Sequence, residues 1–230
     1  MASSGQGPWP PGTLLAGMEE SARKAILELG ARRQYTEAGR VLIREGDHST
    51  SVYLLLAGWV KVTGAVDGQD ALLALRVGGD VVGELAALDE RPRLASVTTA
   101  GPVMARVIGR ADFLGLLSRD PKLALAVTRG VSDKLRTATS RRIEFTSCNV
   151  STRLARVLLD LAHQYGEQRP EGRKIGCPLT QTELATLAGA AEPTVQRSLR
   201  QLKADRIVAV GYREITVRDM DALRKLAFPG

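Results

Sequence analysis

The chain's 230 residues and 24.7 kDa make one large domain or two small ones. With 44% hydrophobic and 25% charged residues, wholesale disorder is excluded. Lys and Arg number 32 against 25 Asp and Glu, and the resulting +7 suggests nucleic acid, a membrane surface or a small anion as partner.

The opening MASSGQGPWPPG reads as a loose tail. Its first cation comes only at Arg23, and Pro8, Pro10 and Pro11 interrupt it, so no signal peptide is expected. Leu14 to Leu29 then carries helical periodicity, with Leu15, Met18, Ala22, Ile26 and Leu29 on one face. From about Tyr35 to Ile108, short β-rich runs alternate with turns at Gly46-Asp47, Asp67-Gly68 and Gly78-Gly79-Asp80, the pattern of a sandwich or jelly-roll barrel. The most apolar run, Val52 to Val60, is far shorter than the ~20 residues of a membrane-spanning helix. Asp112 to Leu117 reads as a short turn. Pro121 suits a first helical position and opens a helix to about Phe145. A thin heptad seam runs through Ala124, Thr128, Val131, Leu135, Ala138, Arg142 and Phe145. A helix this long needs one face covered, by its own barrel or by a second copy, and the second copy is the reading taken.

Beyond it, Ser151 to Tyr165 reads as an amphipathic helix, Gly166 to Lys174 as a loop, and Ile207 to Val217 as a hairpin turning at Gly211-Tyr212, before a last helix from about Asp219. Two cysteines, Cys148 and Cys177, and two histidines, His48 and His163, supply neither a disulfide framework nor a Cys/His metal set. A reduced, cytoplasmic protein is expected.

Between the loop and the hairpin lie two short helices. Thr180-Gln181-Thr182-Glu183 is a capping box, Leu184, Leu187 and Ala188 make an apolar face, and Gly189 supplies the left-handed residue of a tight turn. The second helix opens at Glu192-Pro193 and runs to about Asp205. Val195, Leu199 and Leu202 face inward, and Thr194, Gln196, Arg197, Arg200 and Lys203 outward. In a major groove Gln pairs with adenine and Arg with guanine, while Thr and Lys hold phosphate. From Arg173 to Arg213, seven basic residues stand against three acidic ones, a net +4. Helix, Gly turn, helix and β-wing in this order point to DNA binding; the alternative is an αα-hairpin with a solvated basic face.

In the β-rich region, Gly83-Glu84-Leu85-Ala86 follows a strand and opens a helical turn whose backbone N–H groups suit an anion. Arg93, ten residues on, has the fork to reach the same anion, and Glu84 can accept from sugar hydroxyls. Together they suit a phosphate joined to a ribose; the alternative is a plain Glu84–Arg93 salt bridge.

Gly-Glu-Leu-Ala, five residues, then Pro-Arg-x-Ala-Ser resembles the phosphate-binding cassette of cyclic-nucleotide-binding domains, and Gly46, Gly58, Gly68 and Gly79 fall where that family has glycines. With the long helix and the C-terminal motif, the chain from about Leu14 to Leu226 is similar to the cAMP receptor protein family of bacterial transcription regulators, the Crp/Fnr superfamily. The resemblance implies an α+β fold: a cyclic-nucleotide-binding jelly-roll β-barrel over 14–120, a dimerisation helix over 121–146 and a winged helix-turn-helix over 150–230. It further implies that Glu84 holds a ribose 2′-hydroxyl and Arg93 the cyclic phosphate, with Gly83, Leu85 and Ala86 lining the sugar-phosphate. Leu94 stands where several cAMP receptors have a phosphate-contacting serine, and Ser96 matches a hydroxyl position of kinase-type cassettes. The base-contacting pair of hydroxyl residues aligns with Ala138 and Thr139, so one is missing, which leaves selectivity for adenine open.

At the DNA-reading end, Arg197 matches a base-reading arginine, Thr194 a threonine and Thr180 a phosphate-contacting threonine. Glu192 replaces an arginine and Pro193 a glutamate, so a different operator is expected. The iron–sulfur branch needs four cysteines, and His48 and His163 lie outside the haem-ligand positions. Cys148, near the expected hinge at Cys148–Val150, reads as a buried or bystander thiol, the alternative being a redox-sensitive one. The expectation is a homodimeric regulator with cAMP as effector and double-stranded DNA as partner, RNA polymerase being a further partner the family allows. Within the family, the alternatives are DNA binding without ligand or with cGMP or a cyclic dinucleotide. From another class, the alternative is a ligand-binding regulatory subunit that binds no DNA. No catalytic dyad, metal set or membrane segment appears, and no enzyme is expected.

Overall fold

The computed structural model describes residues 9–66, 68–211 and 214–229. Helix α1 (Glu20–Glu28) is shorter than the periodicity from Leu14 suggests. Leu15 and Met18 are buried as expected, and Leu14 with them, but ahead of the helix rather than in it. Gly17 is a poor helix former, Glu19 is extended, and the Leu15 N–H is spent on the Gly79 carbonyl at 2.9 Å.

Strands β1 (Ala31–Tyr35), β2 (Val41–Ile43), β3 (Val52–Ala57), β4 (Trp59–Val66), β5 (Gln69–Val77), β6 (Val81–Val82), β7 (Ser96–Thr99) and β8 (Val103–Ile108) follow, with α2 (Glu84–Asp89) between β6 and β7. They form two four-stranded antiparallel sheets, ordered β1-β8-β3-β6 and β2-β7-β4-β5, which is the expected jelly roll. β1 was hidden in the sequence because Ala-Arg-Arg-Gln-Tyr is polar and sits exposed at a sheet edge. Leu55, Val82, Val103 and Ala105 of one sheet meet Ile43, Val60 and Val97 of the other. The strand period of two sends Val52 and Leu54 to the opposite face, where Ile26, Phe113, Leu123 and Val127 cover them. The β3–β4 turn demands Gly58: at φ +86 a Cβ there would lie 2.1 Å from the Pro102 carbonyl oxygen.

The expected short turn at Asp112 is part of a ten-residue helix, α3 (Arg110–Arg119), with Phe113 fully buried. Helix α4 (Pro121–Ser147) follows. Leu123 and Val127, one turn apart, pack in the cluster over Val52 and Leu54, whereas Leu125, Leu135, Ile143 and Phe145 are exposed. The chain divides into two compact units, residues 1–135 and 136–230, and the division falls inside α4.

The second unit continues with α5 (Val150–Tyr165), capped by Asn149 Oδ1 accepting from the Thr152 N–H. The expected loop from Gly166 is instead a hairpin, β9 (Gly166–Arg169) and β10 (Gly172–Ile175). Then come α6 (Gln181–Ala188), α7 (Glu192–Ala204), β11 (Val208–Gly211), β12 (Glu214–Val217) and α8 (Met220–Ala227). The four strands make one sheet, β11-β12-β10-β9. The Gly211–Glu214 pairing fits the expected hairpin, whose Tyr212 lies outside the described residues. No helix among the described residues is long and apolar enough to cross a membrane, and no described cluster of His, Cys, Asp or Glu could hold a metal.

Candidate effector cassette and DNA-reading face

β6 runs into Gly83, whose φ of +82 turns the chain into α2. A Cβ on Gly83 would lie 2.7 Å from Arg93 Nη1, so glycine is what lets the guanidinium approach the backbone. Arg93 is 4% exposed. It donates from Nε to Ser49 Oγ at 3.1 Å, from Nη1 to the Gly83 carbonyl at 2.8 Å and from Nη2 to the Ser51 carbonyl at 2.7 Å. A guanidinium has five N–H groups, and the other two find no acceptor among the described residues. Burial pulls the Arg93 pKa below its ordinary value, with Tyr53, Asp47 and Glu84 opposing. The group stays cationic at neutral pH.

Glu84 is 3% exposed, but it does not pair with Arg93. Its Oε1 accepts from Lys134 Nζ at 2.8 Å, and the same ammonium donates to the Val81 carbonyl at 2.8 Å. The plain Glu84–Arg93 bridge is therefore replaced by a Glu84–Lys134 pair that ties the cassette to α4. Lys134, Ser49 and Ser51 escape a sequence reading because they lie 50, 44 and 42 residues from their partners. A buried Arg93 and a half-buried Lys134 beside one buried carboxylate suit a small anion bearing hydroxyls.

The remaining cassette residues sit as follows. Ala86 is buried, Leu85 is partly exposed, and Leu94 is 75% exposed, its side chain in solvent. Ser96 Oγ accepts from the Glu45 N–H at 3.0 Å. Thr139 lies exposed on the part of α4 that belongs to the second unit, as does Ala138.

In the second unit the capping box is complete. Thr180 Oγ1 accepts from the Glu183 N–H at 3.1 Å, and Glu183 Oε2 accepts from the Thr180 N–H at 2.8 Å. Gly189 follows at φ +59, and Phe145 crowds the place a side chain would take. On α7, Val195, Leu199 and Leu202 are buried, while Thr194, Arg197, Arg200 and Lys203 are exposed. Gln196 and Glu192 are half-buried and bonded to each other: Gln196 Nε2 donates to Glu192 Oε1 at 2.9 Å. The Thr182 hydroxyl donates to Glu192 Oε2 at 2.6 Å.

Arg153 is a further residue the sequence did not mark. Its Nε and Nη2 donate to the Ala188 and Gly189 carbonyls at 2.8 and 2.9 Å, and Nη1 donates to the Cys148 carbonyl at 2.7 Å. Its guanidinium stacks 5.1 Å from the Phe145 ring centroid. It thus joins the end of α4 to the turn of the helix-turn-helix.

Residues 33–120 match the cyclic nucleotide-binding domain family, and residues 152–226 match the Crp-like helix-turn-helix domain family. The chain is 31% identical to the cyclic AMP receptor protein of Thermus thermophilus, over 86% of this chain and 88% of the relative. It is 27% identical to a CRP-like cAMP-activated global transcriptional regulator of Mycobacterium tuberculosis, over 82% and 85%. The c-di-GMP responsive global regulator CLP of Xanthomonas campestris shares the fold at a TM-score of 0.73 and 22% identity, over 87% of this chain and 100% of that one. Members of this family are transcription regulators, not enzymes. The two matched domains, in this order around one long helix, place the chain in the Crp/Fnr superfamily, as a DNA-binding transcription regulator with a cyclic nucleotide-binding domain.

Proposed function

We propose that this regulator responds to cAMP and acts as a homodimer on a near-palindromic DNA site in the bacterial cytoplasm. The observation that carries the effector half is the buried Arg93 guanidinium, with three N–H groups held by the protein and two without acceptors among the described residues. A cyclic phosphate takes a guanidinium fork of that kind, and Glu84 accepts a ribose hydroxyl through the oxygen not bonded to Lys134. Since Lys134 belongs to α4, a ligand that draws on Glu84 acts directly on that helix. It favours the DNA-competent state only by binding that state more tightly.

The dimer half of the reading rests on α4, where Leu125, Leu135 and Ile143 are exposed and need a cover. A two-fold dimer reads half-sites about 34 Å apart. On each half-site Gln196 and Arg197 read base edges, and Thr180, Thr194, Arg200 and Lys203 hold phosphates.

One observation favours a second reading. With Lys134 on Glu84 and three protein acceptors on Arg93, the cassette's charges are largely met from within, as in a regulator that binds DNA without ligand. Calorimetry with cAMP, cGMP and c-di-GMP separates the two. cAMP is expected to bind, and Arg93→Lys, which keeps the charge but loses the fork, to weaken it about 10- to 100-fold with the fold intact. Failure of every nucleotide to bind, with DNA still retarded on a gel, selects the ligand-free regulator.

A further inference from the structure

We infer that Glu192 is a specificity-determining residue: it touches no base itself but fixes the amide of Gln196 in the one orientation that reads adenine. The inference rests on α7 being the DNA-reading helix, and it starts from a position where the chain carries an acid on an otherwise basic face.

Both oxygens of the Glu192 carboxylate are engaged, each by a different helix. Oε2 accepts from Thr182 of α6 at 2.6 Å, and Oε1 accepts from Gln196, one turn along α7, at 2.9 Å. Two partners from two helices hold the carboxylate plane in place, as a single surface pair does not. The half-buried setting keeps water from competing fully for it. The acid also stands in the first turn of α7, where the helix dipole favours it.

The consequence falls on Gln196. A glutamine amide is symmetric in shape, and its oxygen and nitrogen exchange places by a flip of the last torsion. An ionised carboxylate only accepts, so the group facing Glu192 has to be the NH2. The flip is therefore decided before DNA arrives. What Gln196 still offers is its carbonyl oxygen and the second N–H of the same nitrogen. Adenine presents a donor at N6 beside an acceptor at N7 in the major groove, the complement of that pair. A glutamine free to flip also serves bases with the reverse demand, so Glu192 narrows the choice.

The carboxylate has a second effect, of opposite sign. A negative charge on the DNA-reading face repels phosphate, so it lowers sequence-independent affinity while it raises discrimination. A residue that merely kept the helices folded would change both in the same direction.

The test uses the full chain, with cAMP present and absent. Enriched duplexes from a randomised pool define the preferred base opposite Gln196, and binding to duplexes with each base there is then measured beside a random-sequence duplex. For Glu192→Ala, random-duplex affinity is expected to rise while preference for adenine drops roughly 5- to 150-fold, the worth of one bidentate contact. Adding Gln196→Ala to that variant is expected to cost little more. Glu192→Gln keeps an acceptor for the amide without the charge, so it should retain more of the preference than Glu192→Ala while sharing the gain in random-duplex affinity. An unchanged adenine preference in Glu192→Ala overturns the inference, as does a parallel fall of specific and random affinity. If the unsubstituted protein retards DNA but Gln196→Ala alters no base preference, then reading by Gln196 fails and takes this inference with it. If the unsubstituted protein retards no duplex at all, the DNA-binding reading itself fails.

Discussion

Asp80 lies buried where β5 turns into β6, its carboxylate accepting from the Val77 N–H at 3.2 Å. Burial pushes its pKa above the ordinary 3.8, against the pull of Arg76 and Lys134. Between 3.8 and the raised value, the folded protein keeps a proton that the unfolded chain has released. Its contribution to stability therefore falls as pH rises through that window, and it is level above. Asp80→Asn should flatten that slope, as read from urea midpoints across the acid range, and leave the barrel no less stable at neutral pH. An unchanged slope would assign it to another group. At this scale the sequence was informative where a site is contiguous. Gly83, Glu84 and Arg93 fall within eleven residues, and the fold brings all three together. It was silent where partners are distant: nothing near Lys134 in the chain announces Glu84, and nothing near Ser49 or Ser51 announces Arg93.

Among the elements, the turn between α6 and α7 depends on a residue that accepts a positive φ. Gly189→Ala places an L-residue at φ +59, at a cost of about 1–2 kcal/mol, and sets its Cβ 2.8 Å from Phe145 Cδ2. The Phe145 ring is exposed and can give way, so the backbone cost dominates. Denaturant unfolding should show Gly189→Ala destabilised by about that amount and DNA binding weakened. Most of the loss should persist when Phe145→Ala is added; a loss that disappears would make crowding the cause. The capping box and this glycine were legible because each is a local bargain between a side chain and its own backbone. The β9–β10 hairpin was not: Gly-Glu-Gln-Arg and Gly-Arg-Lys-Ile show no apolar alternation, and the pairing is completed by β12, forty residues away.

For the whole molecule, the +7 has a narrower meaning than its sum. Of the cations between Arg173 and Arg213, Lys174 pairs with Glu214 at 2.9 Å, one residue past that window. Arg173 Nε is buried and finds no partner among the described residues. Arg197, Arg200, Lys203 and Arg206 remain exposed, and DNA affinity should follow these rather than the bulk charge. Assembly should depend on α4: Leu135, 67% exposed on the heptad seam, tolerates no charge if a second copy covers it. Leu135→Glu is expected to sediment as a monomer and to lose about 100-fold or more in affinity for a two-half-site operator, because the paired contacts are no longer tethered. A variant that sediments as the unsubstituted protein does would move the dimer contact elsewhere.

The division between the units inside α4 also decides where the chain can be cut. A C-terminal fragment begun at residue 150, where α5 opens, would strip Arg153 of the Cys148 carbonyl and the Phe145 ring, and Arg156 of Glu144, which it meets at 3.2 Å. Begun at residue 136, the fragment keeps all three, together with the last three turns of α4 as its own first helix. A DNA-binding module transplanted from this regulator is thus expected to need the last turns of α4 in addition to its helix-turn-helix motif.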